Sequence, residues 1–132
     1  SLYDVDPRHG YDVFKFSPTG GTVWAKWVNT RYMPKYNGDL AVDAAGNVFV
    51  AGAFRGTVDF DPSSKSKFFS SGAGTGGFVL KLTSAGKYAW ASTFSANAAD
   101  SHSYADKIAL DGGGNVIVGG NYRGTVDFKP GN

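Results

Sequence analysis

Asp43-Ala44-Ala45-Gly46-Asn47-Val48-Phe49-Val50-Ala51-Gly52-Ala53-Phe54-Arg55-Gly56-Thr57-Val58-Asp59-Phe60 returns later in the chain as Asp111-Gly112-Gly113-Gly114-Asn115-Val116-Ile117-Val118-Gly119-Gly120-Asn121-Tyr122-Arg123-Gly124-Thr125-Val126-Asp127-Phe128. Extended to Asp39–Pro62 against Lys107–Pro130, the two copies share 14 of 24 residues at an offset of 68. A second block, Phe14-Lys15-Phe16 to Trp24-Ala25, recurs as Leu80-Lys81-Leu82 to Trp90-Ala91 at an offset of 66. Self-similarity with a period of about 67 residues marks a stacked or radial array, in which one unit cannot bury its own apolar faces.

The units read as β structure. The chain has 132 residues, 19 of them Gly, and 15% aromatic side chains, with Val, Phe, Tyr and Thr in short runs and no stretch of helical period. Within a unit, the first strand spans Asp39 to Asp43, matched by Lys107 to Asp111. A tight turn, Ala44-Ala45-Gly46-Asn47 or Gly112-Gly113-Gly114-Asn115, supplies the positive φ of a hairpin. The second strand, Val48 to Phe54 or Val116 to Tyr122, alternates poorly, as expected of a strand covered on both faces. The third spans Phe78 to Leu82, matched by Asp12 to Phe16. The fourth spans Lys87 to Phe94, matched by Thr22 to Val28. Between the second and third lies an excursion, Arg55 to Thr75, expected to form a further short hairpin.

Four antiparallel strands per unit, apolar on both faces and radially repeated, describe a β-propeller blade. Ala41–Gly52, Arg55–Pro62 and Gly77–Ala91 together resemble the bacterial β-propeller repeats abbreviated SBBP. The Asp-x-x-Gly-Asn turn alone also looks like NHL-type propellers, and the Gly-Thr-Val-Asp-Phe block narrows the match. The resemblance covers nearly the whole chain, Leu2 to Pro130. It implies a propeller from a secreted or surface bacterial protein, with no shared catalytic residues.

The expected organisation is a single propeller segment, 1–132. Residues 1–38 supply a half-blade (third and fourth strands), 39–106 a complete blade, and 107–132 another half-blade (first and second strands). Leu2-Tyr3-Asp4-Val5 looks like the continuation that follows Lys129-Pro130-Gly131-Asn132 in the repeat. Propellers close with roughly 4–8 blades, so the two blade equivalents here call for completion. They are expected to gain it by head-to-tail assembly, as a ring or a filament, or as part of a longer propeller. Val13, Phe14, Phe16, Val116, Val118 and Tyr122 are the candidate assembly residues.

Few residues suggest chemistry. Asp43 and Asp111 precede Gly-Asn turns, where a carboxylate accepts backbone N–H bonds more readily than it binds calcium, which wants about six oxygens. Asp59 and Asp61 offer no repeated metal site, because Lys129 replaces the second carboxylate; pairing of Asp59 and Asp127 with Arg55 and Arg123, or local turn capping, is the expected role. Trp24 and Trp90 occupy one repeated position and are candidates for stacking on a glycan, against the commoner role of core between units. His9 and His102 are the only histidines, and no nucleophile elbow, phosphate loop or metal-ligand motif accompanies them. The most divergent segments are the loops at 29–38 and 95–106. Arg31, Tyr32, Lys35, Tyr36, His102 and Tyr104 make them a candidate rim site for a glycan, an acidic peptide or single-stranded nucleic acid.

A net charge of +2 gives no argument for nucleic acid or an anionic membrane, and the absence of Cys excludes disulfides and thiolate metal sites. No segment reaches the length of a membrane span, and no leader opens the sequence; an export signal, if one exists, has been removed or lies outside it. The expectation is a non-enzymatic, self-assembling surface module without a cofactor, whose partner is itself, with a glycan or a surface protein as further partners. An oligomeric lectin-type propeller and a fragment of a larger propeller are the alternatives.

Overall fold

The structure, a computed structural model, describes residues 10–31 and 38–128. His9, Tyr32, Lys35 and Tyr36 lie outside the described residues, as do Leu2 to Val5 and Lys129 to Asn132. Among those described, the chain is all-β, without a helix: β1 (Gly10–Phe16), β2 (Thr22–Asn29), β3 (Asp39–Val42), β4 (Val48–Asp59), β5 (Phe68–Leu82), β6 (Tyr88–Ala96), β7 (His102–Leu110), β8 (Val116–Arg123) and β9 (Val126–Asp127). β1 and β2 form an antiparallel hairpin, and β3–β4–β5–β6 follow as an antiparallel meander with β9 on its outer edge. β7 and β8 form a second hairpin, tied to the meander by one parallel bridge, Thr75 to His102.

The central meander has no polar face. Every residue from Val48 to Phe54 is buried. Side chains alternate across a strand, and the two sets enter two separate cores. Val48, Val50 and Phe54 join Phe78, Leu80 and Leu82 in the first, where Val13 of β1 and Val28 of β2 complete the cluster. Phe49, Ala51 and Val79 form the second with Ala105 and Ile108 of β7, and Phe94, Val116 and Val118 pack against it. Each hairpin therefore roofs one face of the meander.

The two cores use repeated positions. Val13 and Val28 face Val48 and Val50 in the first core; Val79 and Phe94, at the same repeat positions, face Val116 and Val118 in the second. One packing step is applied twice.

One segment follows the sequence expectation in a modified form and one differs. The excursion after Phe54 closes as a short hairpin, Thr57–Asp59 against Phe68–Ser70, continuous with β4 and β5. A bulge between Arg55 and Thr57 absorbs Gly56, whose φ of 78° suits glycine, and the β4–β5 ladder resumes at Thr57 opposite Ser70. The Ser71 hydroxyl holds the bulge, accepting from the Gly56 amide at 2.9 Å and donating to the Gly74 carbonyl at 2.7 Å. The loop expected over 95–106 is largely strand. β6 runs to Ala96, and β7 begins at His102, where its ladder with β8 starts; the Ser103 hydroxyl, accepting from the Gly77 amide and donating to the Phe94 carbonyl (both 2.8 Å), fastens β7 to β5 and β6.

Candidate functional site

The repeated turns are self-contained. The Asp43 carboxylate accepts from the Asn47 amide and the Asn47 side chain, both at 2.8 Å. Asp111 does the same with Asn115 at 2.8 and 2.7 Å. Donation from the asparagine side chain, the largest influence in each case, holds both carboxyls below their ordinary range. Asp39 is held low by the Ile108 amide, which joins β3 to β7. Asp59 accepts from the amides of Asp61 and Lys67 at 3.0 and 2.7 Å, so it caps its own turn. Among the described residues Arg55 and Asp59 do not pair: the Asp59 carboxylate is taken up by these two amides. Among the described residues no three His, Cys, Asp or Glu side chains converge as metal ligands.

Of the six rim candidates, Arg31, His102 and Tyr104 lie among the described residues. Arg31 is exposed, with its amide bonded to the Asn29 side chain. His102 and Tyr104, on β7, sit with ring centroids 4.8 Å apart.

The two tryptophans stand in different surroundings. Trp24 leans on the first core, and its indole N–H donates to the Ser84 carbonyl at 2.9 Å; the Lys15 ammonium donates to the same oxygen at 3.0 Å. Trp90 is 37% exposed, edge-on to Phe49 at 6.1 Å. Trp27 is exposed and lies directly opposite Asp12 in the β1–β2 ladder.

The most informative arrangement is at the two open sheet ends. Among the described residues β1 pairs only with β2, and β8 only with β7, so each offers an unpaired edge. Phe14 and Phe16 on β1 are 56% and 59% exposed, whereas Leu80 and Leu82 at the same repeat positions are fully buried. Tyr122 and Phe128 are 62% and 53% exposed; their counterparts Phe54 and Phe60 are fully buried. The ring geometry is nevertheless kept. Phe54 and Phe60 meet edge-on at 5.1 Å, Tyr122 and Phe128 at 5.2 Å. Beside the second pair lies an open cleft of about 350 Å³, lined by Phe94, Ser103, Val118 and Gly120 among others.

Val13, expected among the assembly residues, belongs elsewhere: it is buried in the first core, facing the chain's own β4 and β5. Val116 and Val118 are half-buried against the second core. The exposed apolar edge is thus Phe14, Phe16, Tyr122, Phe128 and Ile117. Phe128 and Ile117 were missed; their signal was identity of repeat position with Phe60 and Phe49.

One position breaks the pattern. Asp12 occupies the place of Phe78, while Trp27, opposite it, occupies the place of Thr93, opposite Phe78. The aromatic bulk has crossed to the neighbouring strand.

No protein-family model matches this chain, and neither do curated proteins or solved structures.

Proposed function

We propose that the chain is a structural, non-enzymatic β-propeller segment that assembles end to end by strand complementation, in a secreted or surface setting as the SBBP resemblance implies. One observation carries the reading: four large apolar side chains left exposed at the two ends, Phe14, Phe16, Tyr122 and Phe128, are the repeat counterparts of Leu80, Leu82, Phe54 and Phe60, which the central meander buries completely. In the assembled array, β7 and β8 of one copy and β1 and β2 of the next make a composite blade. β8 pairs with the next copy's β1 in the register that joins β4 to β5. Val50 lies opposite Leu80, and Val48 opposite Leu82. The composite register therefore sets Val118 opposite the next copy's Phe14 and Val116 opposite its Phe16.

Main-chain hydrogen bonds along the open edges supply affinity, and the apolar side chains fix the register. Unpaired edges of this kind otherwise invite uncontrolled association. Since each copy brings two blade equivalents, a closed ring holds an even number of blades, and three or four copies fall within the range propellers use. A rotation that does not close gives a filament.

The test is the mass of the purified chain in solution, by light scattering coupled to size exclusion across a concentration series. The expected result is a discrete oligomer that Phe14→Asp reduces to monomer while leaving the β spectrum unchanged. A well-folded monomer at every concentration overturns the reading and favours a segment that completes itself only within a longer chain.

A further inference from the structure

We infer that Trp90 and Lys81 form the receiving half of a latch for the 17–21 turn of a second copy of this chain. The inference rests on the end-to-end assembly proposed above and adds to it a specific polar contact between consecutive sheets. Its template lies inside the chain. Lys15 and Trp24 are cross-strand neighbours on β1 and β2, and both donate to a single backbone oxygen, that of Ser84 in the β5–β6 turn of the adjoining sheet. The Trp24 ring also closes over that turn: a Cβ built on Gly86 would fall 3.0 Å from the indole Cδ2.

Both halves of the same contact occur a second time, apart from each other. Lys81 and Trp90 are cross-strand neighbours on β5 and β6, at the repeat positions of Lys15 and Trp24. Neither donates a hydrogen bond among the described residues. Phe49 holds them ready, with the Lys81 ammonium 5.2 Å from its ring centroid and the Trp90 ring edge-on at 6.1 Å.

The matching turn is built alike. Ser17 and Gly21 close it with an amide–carbonyl bond of 2.7 Å, as Thr83 and Lys87 do at 2.7 Å; Gly20 and Gly86 donate within their turns at 2.9 and 2.8 Å. Where Trp24 covers Gly86, a Cβ on Gly20 would meet nothing within 4 Å. Pro18 stands in the place of Ser84. It lacks the N–H that Ser84 gives to the Asn47 side chain at 3.2 Å, yet keeps the carbonyl that accepts both donors. The step that sets Trp24 on the Ser84 turn, applied once more along the array, sets Trp90 on the next copy's Pro18 carbonyl.

The test uses the whole 132-residue chain with ¹⁵N-labelled tryptophan. Hydrogen exchange of the three indole N–H groups is followed over a dilution series, with the mass measured on the same samples and signals assigned through Trp24→Phe and Trp90→Phe. The expected result is a Trp24 signal protected at every concentration and a Trp90 signal whose protection rises tenfold or more in step with the mass. In parallel, Trp90→Phe weakens assembly about tenfold, the scale of one hydrogen bond, without moving the unfolding midpoint of the dilute chain. Assembled material in which the Trp90 N–H exchanges like a solvated indole overturns the latch and leaves the assembly standing. A mass that never rises overturns both.

Discussion

Leu82 and Phe16 hold the same place in the repeat and opposite places in the structure, so truncating each to alanine separates folding from assembly. Leu82 is fully buried in the first core. Leu82→Ala loses transfer energy and leaves a cavity, a cost of about 2–5 kcal/mol out of the roughly 5–15 kcal/mol by which a domain is stable. Phe16 has 59% of its surface still open to water. Phe16→Ala therefore costs the isolated chain only the already buried share of that ring's energy, about 1 kcal/mol. At the composite blade the same truncation forfeits that open share of a phenylalanine's burial energy. Fully burying such a ring gives about 1.5–3 kcal/mol, so the loss is roughly 1–2 kcal/mol, a five- to thirtyfold rise in the dissociation constant of each junction. Urea unfolding of dilute samples reads the first quantity, and sedimentation equilibrium over a concentration series reads the second. The reasoning is refuted if Phe16→Ala destabilises the lone chain as much as Leu82→Ala, or leaves the association constant unchanged.

Two further outcomes follow from polar groups. Ser103→Ala strips the Gly77 amide and the Phe94 carbonyl of their shared hydroxyl at a site 2% exposed, and orphaned buried groups of this kind cost about 1–3 kcal/mol each; a urea midpoint within error of the parent would contradict the bonding described. Asp39, Asp43 and Asp111 are held below the ordinary carboxylate value of 3.8, so the unfolded chain takes up their protons first as pH falls. Their contribution is complete above that value and is lost as pH drops through the lower folded values. Thermal midpoints should be flat above about pH 5 and decline below about pH 4, and the decline should be shallower in the Asp43→Asn/Asp111→Asn double variant; identical slopes would count against the turns as its source.

Much of the fold is legible in the chain because its signals are local. The Asp-x-x-Gly-Asn turns dictate their own hydrogen bonds, and the unbroken apolar run from Val48 to Phe54 admits only a strand covered twice. Where the reading falls short, the deciding partner is distant in sequence. Nothing in Arg55-Gly56-Thr57 announces that Ser71 pins the bulge and lets the ladder resume. Nothing in Asp100-Ser101-His102-Ser103 shows that the stretch pairs with Tyr122 and Arg123 of β8 and is tied by Ser103 to Gly77 and Phe94. The open edges are half legible. Repeat identity marks Phe14 and Tyr122 as apolar surfaces, yet the orientation of Val13 towards its own chain depends on which sheet the β1–β2 hairpin meets. Trp24 reads from sequence as an aromatic in a conserved repeat place; its N–H bond to Ser84 spans sixty residues of sequence.

The exchange of Phe78 and Thr93 for Asp12 and Trp27 has a consequence for how copies tell one another apart. Identical repeats are prone to trading places, one molecule's hairpin displacing the equivalent hairpin of another. Were β1–β2 of one copy to invade the meander of its neighbour in place of β5–β6, Asp12 would stand where Phe78 meets Phe54 and Phe60 at 6.2 and 4.8 Å. A carboxylate set among those rings is largely desolvated and is penalised for it. Beside β8 the residue in the place of Phe54 is Tyr122, whose hydroxyl accommodates a carboxylate. In the proposed assembly the two hairpins would thus be keyed to different locks, with a single charge weighing against swapped, tangled dimers.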